Sequence, residues 1–157
     1  MKFDSAEQEL YLNLWRTYDR LRILEDALFT EFELTCQQYN VLRLLDAVRP
    51  EAIPTLTLAS RLVSRAPDIT RILDRLEKRE LMERIRMSGD RRQVLVKIAP
   101  AGRALLKKIA KPLEECHKQQ LGHLSESKMK QLRDLLQEAR RPHEQETSPW
   151  RVDAKDA

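Results

Sequence analysis

The chain has 157 residues and a mass of 18.5 kDa, so its length fits a single domain. With 41% apolar residues, 34% charged residues and only three glycines, it is too apolar for a disordered chain and favours helices over sheets. A net charge of +4 argues only weakly for an anionic partner, and the sequence has no run of about 18 uncharged apolar residues to span a bilayer.

The first predicted element is a long amphipathic helix from Ser5 to about Phe32. This stretch lacks glycine and proline, and its apolar residues recur at steps of three and four. Ser5 with Gln8 matches a capping box. A second box, Thr35 with Gln38, opens a shorter helix, which a proline-containing loop follows.

Two short helices with a tight connection come next. Residues 55–63 form the first, and Pro67 is expected in the first turn of the second, where proline is favoured. In the second helix, Ile69, Leu73 and Leu76 recur at steps of four and three and face the core, while charged residues face solvent. Two helices joined by a short turn, with a basic outer face, form a helix-turn-helix pattern.

The apolar period then changes from helical to alternating. Residues 82–87 and 94–98 are predicted as two short strands, joined by a polar loop at 88–92 that contains Gly-Asp. A β-hairpin that directly follows a helix-turn-helix is called a wing, and we expect one here.

Two further helices and a polar tail complete the chain. Pro100 marks the start of a long helix to about Leu121, in which Pro112 is a candidate kink, and Ser125 caps the last helix. Residues 142–157 are polar and lack periodicity, so we expect disorder or loose docking there. Together the elements predict a mainly α fold with a small β-hairpin wing.

The excess positive charge lies in one window of the chain. Residues 60–92 contain ten basic and six acidic side chains, and the other 124 residues contain 19 of each. Nine of the ten basic residues are arginines, which suit forked contacts with phosphates and guanine edges. Alternatively, these basic residues lie on a helix face that is exposed to solvent and binds no nucleic acid. The charge distribution alone does not distinguish the two interpretations.

Two motifs in this window carry a family resemblance. ITRILDRLEK, at residues 69–78, is followed about ten residues later by GDRRQVLVKI, at 89–98. The first resembles the recognition helix and the second the Asp-Arg-Arg wing of the MarR (multiple antibiotic resistance regulator) family of bacterial and archaeal transcription factors. The resemblance covers roughly residues 5–141.

The resemblance implies a winged helix-turn-helix homodimer in which the fourth helix enters the major groove of DNA and the wing reaches the minor groove. Its parts are expected to be a dimerisation helix at 1–35, a DNA-binding lobe at 36–100, two dimerisation helices at 101–141 and a disordered tail at 142–157.

Three positions depart from the family pattern. Glu80 stands where the family usually has glycine; a left-handed helix end there would cost about 1 kcal/mol, so we expect a different turn. Ala99 replaces the usual threonine cap, a loss that Pro100 partly offsets. Asp68 occupies a position that is more often small or neutral, which either weakens phosphate contact or selects a cytosine amine.

Polar residues near the start of the fourth helix are the candidates for contacting DNA, because the helix dipole favours phosphates there. They are the turn residues Ser64 and Arg65 and the helix residues Asp68, Thr70, Arg71 and Arg75. The alternative for Arg71 is an ion pair with an aspartate three residues away, which holds only about 0.2–0.5 kcal/mol. Arg75 has no acidic residue three or four positions away, so its alternative is solvation.

The wing supplies three more candidates. Asp90 is two residues from Arg92 on the strand, so it can orient that arginine towards the narrow minor groove, while Arg91 faces the phosphates. The alternative is a surface ion pair worth less than about 1 kcal/mol.

The resemblance also implies a small-molecule pocket between the dimerisation helices and the winged lobe. The side chains that would hold an aromatic or phenolic effector are Trp15, Arg16, Tyr18, Tyr39 and Arg43. The alternative, which we prefer, is that the aromatic residues are core and dimer contacts.

The cysteines and histidines lack the spacing of a metal site. Cys116 and His117 adjoin on a helix and point about 100° apart. Cys36 begins the second helix, whereas family members that sense peroxides carry their cysteine in the first, so we interpret it as a small buried residue. We expect no metal and no cofactor.

The sequence therefore predicts a homodimeric repressor that binds pseudo-palindromic double-stranded DNA and responds to a small aromatic or phenolic ligand. Enzymatic signatures such as a glycine-rich phosphate loop are absent, so we expect no catalysis. The first residues lack a secretion signal and two cysteines cannot form a disulfide framework, so we expect a cytoplasmic protein. Two alternatives remain: a winged-helix interaction module without DNA binding, and a thiol-based redox sensor that uses Cys36 or Cys116.

Overall fold

The computed structural model describes residues 2–63, 68–87, 90–144, 148 and 150, with the backbone alone at 87 and 90–93. Among these residues no helix is long and apolar enough to cross a membrane. The elements are α1 (Ala6–Glu31), α2 (Cys36–Ala47), β1 (Ile53–Pro54), α3 (Thr55–Arg61), α4 (Ile69–Lys78), β2 (Met82–Met87), β3 (Asp90–Ile98), α5 (Pro100–Leu121) and α6 (Glu126–Arg140), with a 3-10 turn at Arg141–His143.

The architecture confirms the predicted mainly α fold with a hairpin wing, and it adds one strand. The three strands form an antiparallel sheet in the order β1-β3-β2. In β1, Ile53 pairs with Val96 and Pro54 with Leu95. These residues were expected in the proline-containing loop after the second helix, because a two-residue strand that contains proline has no periodic pattern of its own.

The second strand of the wing starts earlier than predicted. β3 begins at Asp90 rather than at Val94, so three residues expected in the loop belong to the strand. Arg86 pairs with Val94 but Met87 pairs with Asp90, and this register shift leaves residues 91–93 between consecutive pairs. The Asp-Arg-Arg motif therefore lies on an irregular part of the strand at the outer end of the hairpin.

The core of the winged lobe is built from one face of each short helix and one face of the sheet. The side chains of the lobe that are at most 1% exposed are Val41, Leu42 and Leu45 of α2, Leu58 of α3, Leu73 and Leu76 of α4, Met82 of β2 and Val96 of β3, and Ile109 of α5 is equally buried in the same cluster. Burying one such side chain stabilises the fold by about 1.5–3 kcal/mol. Burial of the two α4 leucines directs the opposite face of that helix to solvent.

One of the two predicted capping boxes is complete. At α2 the Thr35 side chain accepts the Gln38 N–H, and the Gln38 side chain accepts the Thr35 N–H at 2.9 Å. At α1 the Ser5 hydroxyl accepts the Gln8 N–H at 3.2 Å, but the Gln8 side chain accepts from the Asp4 N–H instead. The box predicted at Ser5 is therefore only half formed.

Two helices end on a glutamate in the left-handed backbone region. Glu33 after α1 has φ 53° and Glu80 after α4 has φ 57°. The N–H groups of Glu80 and Leu81 donate to the carbonyls of Glu77 (2.8 Å) and Leu76 (3.0 Å), which is a Schellman motif. The expectation of a different turn at Glu80 is therefore wrong. The left-handed end costs about 1 kcal/mol, and burial of Leu81 helps to stabilise it.

Helix α5 starts against the base of the wing. Ala99 precedes it without a side-chain cap, and Pro100 occupies the first turn. The Leu81 carbonyl accepts the Ala99 N–H at 3.1 Å. A Cβ at Gly102 would lie 2.2 Å from that same carbonyl oxygen, so glycine permits the close approach. The helix continues through Pro112 as one element.

The N-terminal half of α1 and the whole of α6 present apolar side chains to solvent. Within α6 the structure buries no residue. The exposed large apolar residues include Leu10, Tyr11, Leu12, Leu14, Trp15 and Tyr18 on α1, and Met129, Leu132, Leu135 and Leu136 on α6. An apolar surface of this extent is typical of a protein interface.

Candidate nucleic-acid interface

Helix α4 presents a polar face to solvent. Thr70, Arg71 and Arg75 are exposed on it, opposite the buried Leu73 and Leu76. This solvent-exposed face of the fourth helix is where residues that read DNA were expected. Their contact with DNA stays a prediction.

Asp68, the fourth candidate on this helix, is its N-cap. The carboxylate accepts the backbone N–H of Arg71 at 3.2 Å, and the helix begins at Ile69. Pro67, which was expected in the first turn, lies outside the described residues. The Asp68 carboxylate also lies 3.6 Å from the Arg71 guanidinium, with both side chains more than half exposed, so the pair contributes only a few tenths of a kcal/mol.

An arginine of the wing is bound to the side of α4. The guanidinium of Arg84 on β2 lies 2.7 Å from the Asp74 carboxylate and 2.6 Å from the Glu77 carboxylate, and it donates to the Thr70 carbonyl at 3.3 Å. Partial burial opposes the charge on Arg84, but the bonds to the two carboxylates outweigh it and raise the pKa of the guanidinium. Arg84 therefore fixes α4 to the wing.

This link changes the electrostatics of the exposed face. Asp74 and Glu77 would repel phosphates, but both are paired with Arg84, and the exposed cations Arg71, Arg75 and Lys78 lie on the open side of α4. In the sequence, Arg84 stands out only as a member of the basic window at residues 60–92. Its position two residues after the buried Met82 puts it on the same strand face, and that was the available signal.

The remaining DNA-binding candidates are less fully described. The backbone of Asp90, Arg91 and Arg92 lies in β3, and the structure does not describe their side chains. Ser64 and Arg65 lie outside the described residues. All five stay predictions.

Comparison with known proteins decides the family. A family model described as MarR family matches residues 34–94. The HTH-type transcriptional regulator FarR of Neisseria gonorrhoeae is 32% identical to the chain over 120 residues, which cover 72% of this chain and 81% of FarR. The chain belongs to the MarR family.

Two further MarR-family comparisons agree with this assignment. The homoprotocatechuate degradative operon repressor of Escherichia coli is 30% identical over 105 residues, which cover 67% of this chain and 70% of that protein. The crystal structure of a MarR transcription factor from Planctomyces limnophilus is 50% identical, with a TM-score of 0.70, and the match covers 86% of this chain and 98% of that one. The predicted family and winged-helix fold are confirmed, and this MarR-family chain is a transcription regulator.

The residues proposed for an effector pocket lie in two places in this MarR-family protein. Trp15, Arg16 and Tyr18 are exposed on the N-terminal half of α1. Tyr39 is half buried and stacks on Phe29 with ring centroids 4.8 Å apart, and burial raises the pKa of its hydroxyl; Arg43 is exposed. Among the described residues no hydrogen bond, ion pair or ring contact joins the α1 group to the other two.

The cysteines lie beside a carboxylate. The Cys36 thiol donates to Glu25 Oε2 at 3.2 Å, and His117 Nε2 lies 3.4 Å from Glu25 Oε1. Burial and this hydrogen bond raise the pKa of Cys36 to about 12, and burial raises that of Cys116. Both thiols therefore stay protonated near neutral pH, which opposes thiolate chemistry. Among the described residues no group of three or more His, Cys, Asp or Glu side chains is arranged to hold a metal.

Proposed function

We propose that this protein is a homodimeric repressor that binds pseudo-palindromic double-stranded DNA. The observation that carries the proposal is the exposed face of α4, where Arg71 and Arg75 face solvent while Arg84 pairs with Asp74 and Glu77. An arginine in the major groove bonds guanine in a forked geometry or neutralises a phosphate.

The exposed apolar surfaces of α1 and α6 support the homodimer. A second copy of the chain is the simplest partner for them, because both surfaces then become buried in one symmetric contact. In such a dimer the two copies of α4 would lie about 34 Å apart, one turn of the duplex. Repression is proposed because the similar Escherichia coli protein is an operon repressor.

The wing completes the proposed interface. Arg92, oriented by Asp90, enters the minor groove, and Arg91 contacts a phosphate. In the helix-turn-helix we assign phosphate contact to Ser64 and Arg65 and a helix cap to Asp68, whose carboxylate already accepts the Arg71 N–H. The protein would act in the cytoplasm and without enzymatic activity.

We keep a small aromatic or phenolic effector as part of the proposal, held by Trp15, Arg16, Tyr18, Tyr39 and Arg43. If these residues act together, the α1 group of one copy would have to meet Tyr39 and Arg43 of the other. Isothermal titration with salicylate, as a phenolic acid probe, tests this arrangement. A heat of salicylate binding that is present in the parent protein and lost in the Arg16→Ala variant supports the arrangement. The absence of a binding heat with the parent protein contradicts it for this class of ligand.

Duplexes selected from a random library by the parent protein test DNA binding. Arg92→Ala should weaken binding to a selected duplex at least about tenfold, and Arg71→Ala should change the sequence preference or lower the salt slope by about 1. Arg133→Ala, which removes an exposed arginine of α6, is the matched control and should bind normally. Selection that yields no preferred duplex, or binding that does not weaken with salt, would favour an interaction module that does not bind DNA.

A further inference from the structure

The side chain of Arg79 connects the end of α4 to the end of α1. One guanidinium nitrogen donates to the Glu33 carbonyl, and the other donates to the Phe32 carbonyl at 3.2 Å. The same guanidinium lies 3.6 Å from the Glu33 carboxylate. Among the described residues every hydrogen bond between the α1 end and α4 comes from this one side chain.

Both ends of this connection are held in place. Arg79 is the C-cap of α4, directly before the Schellman motif at Glu80. The α1 end has the same motif: the Glu33 and Leu34 N–H groups donate to Thr30 (3.0 Å) and Phe29 (2.9 Å), and Leu34 is buried. The negative end of the α1 dipole favours a cation there. The guanidinium therefore bridges two ordered helix ends.

The geometry of α1 makes this bridge important for the whole dimer. The helix has 26 residues, so it is about 39 Å long, and six of its eight exposed large apolar residues lie at positions 10–18, in the half away from Arg79. A tilt of about 5° over that length moves the far end by about 3 Å, close to the rise of one base pair. A small change at the α1–α4 contact therefore changes the separation of the two recognition helices by a distance that DNA can detect.

From this geometry we infer that Arg79 is a positioning residue that sets the half-site spacing accepted by the dimer. It holds the recognition helix, α4, at a fixed angle to the dimerisation helix, α1. The inference rests on the proposed function, since a half-site spacing has meaning only for a DNA-binding dimer. Lysine cannot replace Arg79 fully, because a single ammonium group lacks the planar fork that reaches two carbonyls.

The test compares duplexes that differ only in spacing. A duplex selected by the parent protein is altered by inserting or deleting one base pair between its half-sites. The parent should discriminate against both altered duplexes at least about tenfold, and Arg79→Met should reduce this ratio to under about threefold. Lys78→Met removes the adjacent exposed cation and should keep the parent ratio. Arg79→Lys should give an intermediate ratio, and it replaces the methionine variant if that variant unfolds.

A second measurement does not need DNA. A spin label at Thr70→Cys, with Cys36 and Cys116 replaced by alanine, reports the distance between the two recognition helices of a dimer. The distance distribution should broaden in Arg79→Met and stay narrow in Lys78→Met. If the parent binds no duplex, the proposed function fails while this distance still tests the bridge. An unchanged spacing ratio and an unchanged distribution in Arg79→Met would overturn the inference.

Discussion

Two glutamates in this fold adopt a backbone conformation that glutamate does not favour. Glutamate is at a disadvantage of about 1 kcal/mol to glycine in the left-handed region, because its Cβ crowds the following carbonyl. Glu33 and Glu80 both lie there, with φ near that of a left-handed helix. Glycine at either position should therefore make the folded protein more stable than glutamate does.

Glu80→Gly should raise the free energy of unfolding by about 1 kcal/mol, because glycine adopts the left-handed end without strain. Urea unfolding at a fixed protein concentration measures it. Glu138→Gly, on an exposed position within α6, is the control and should lower the same quantity by about 0.5–1 kcal/mol, because glycine is a poor helix former. A destabilised Glu80→Gly protein would contradict the Schellman end of α4.

Cys36 should react slowly with iodoacetamide at pH 8, about 30-fold more slowly than an unstructured cysteine peptide. Raising its pKa from the ordinary 9.0 to about 12 reduces the thiolate fraction about 1000-fold, and the greater nucleophilicity of a more basic thiolate recovers about 30-fold of this. Mass spectrometry of the alkylated peptides measures the rate. Glu25→Gln removes the negative charge that faces Cys36 and should speed the alkylation. If Cys36 of the parent protein is alkylated as fast as the peptide, the result would favour the redox-sensor alternative.

At the scale of elements, the wing and the recognition helix form one unit through Arg84. Its side chain is about one-fifth exposed, and the guanidinium contacts two carboxylates and a carbonyl of α4. Loss of Arg84 would leave Asp74 and Glu77 as unpaired negative charges beside the proposed phosphate contacts. The link therefore serves both the stability of the lobe and its electrostatics.

Arg84→Met should lower the free energy of unfolding by about 1–3 kcal/mol and also weaken DNA binding. Adding Asp74→Asn and Glu77→Gln should restore binding more than stability, because the repulsion disappears while the link stays broken. Lys97→Met is the control on the same sheet: its pair with Glu83 is more exposed, so its loss should cost less than about 1 kcal/mol. Equal effects of Arg84→Met and Lys97→Met, by urea unfolding and fluorescence anisotropy, would contradict this role.

Local patterns predicted most elements, and contacts between distant residues account for the differences. The capping pair Thr35–Gln38 and the apolar steps of α4 are visible in consecutive residues, so α2 and α4 were predicted with small errors at their ends. Strand β1 exists only because Ile53 meets Val96, which is far away in the sequence. The candidate nucleic-acid interface shows the same difference between local patterns and distant contacts. The exposed arginines of α4 follow from helical spacing, whereas the bonds of Arg79 and Arg84 depend on tertiary packing.

At the scale of the whole molecule, the apolar faces of α1 and α6 predict that folding and assembly are linked. Leu132→Glu on α6 should dissociate the proposed dimer, because it would bury a carboxylate in an apolar contact. Light scattering coupled to size-exclusion chromatography measures the mass. The control is Leu56→Glu on α3, where the leucine is 84% exposed, and it should leave the dimer intact. A Leu132→Glu protein with the parent mass would exclude α6 from the interface.

The melting temperature of a protein that is stable only as a dimer rises with protein concentration. Since α6 buries no residue within one copy, we expect this dependence for the parent protein and its loss in Leu132→Glu.

Gly102 has a mechanical consequence for such a dimer. It brings the main chain of α5 against the Leu81 carbonyl, which also accepts the Ala99 N–H. A contact between two main chains cannot stretch or repack as side chains do. A rotation of the winged lobe that keeps this contact would therefore have to pivot at the start of α5. The bonds of Arg79 to the end of α1 would resist such a rotation.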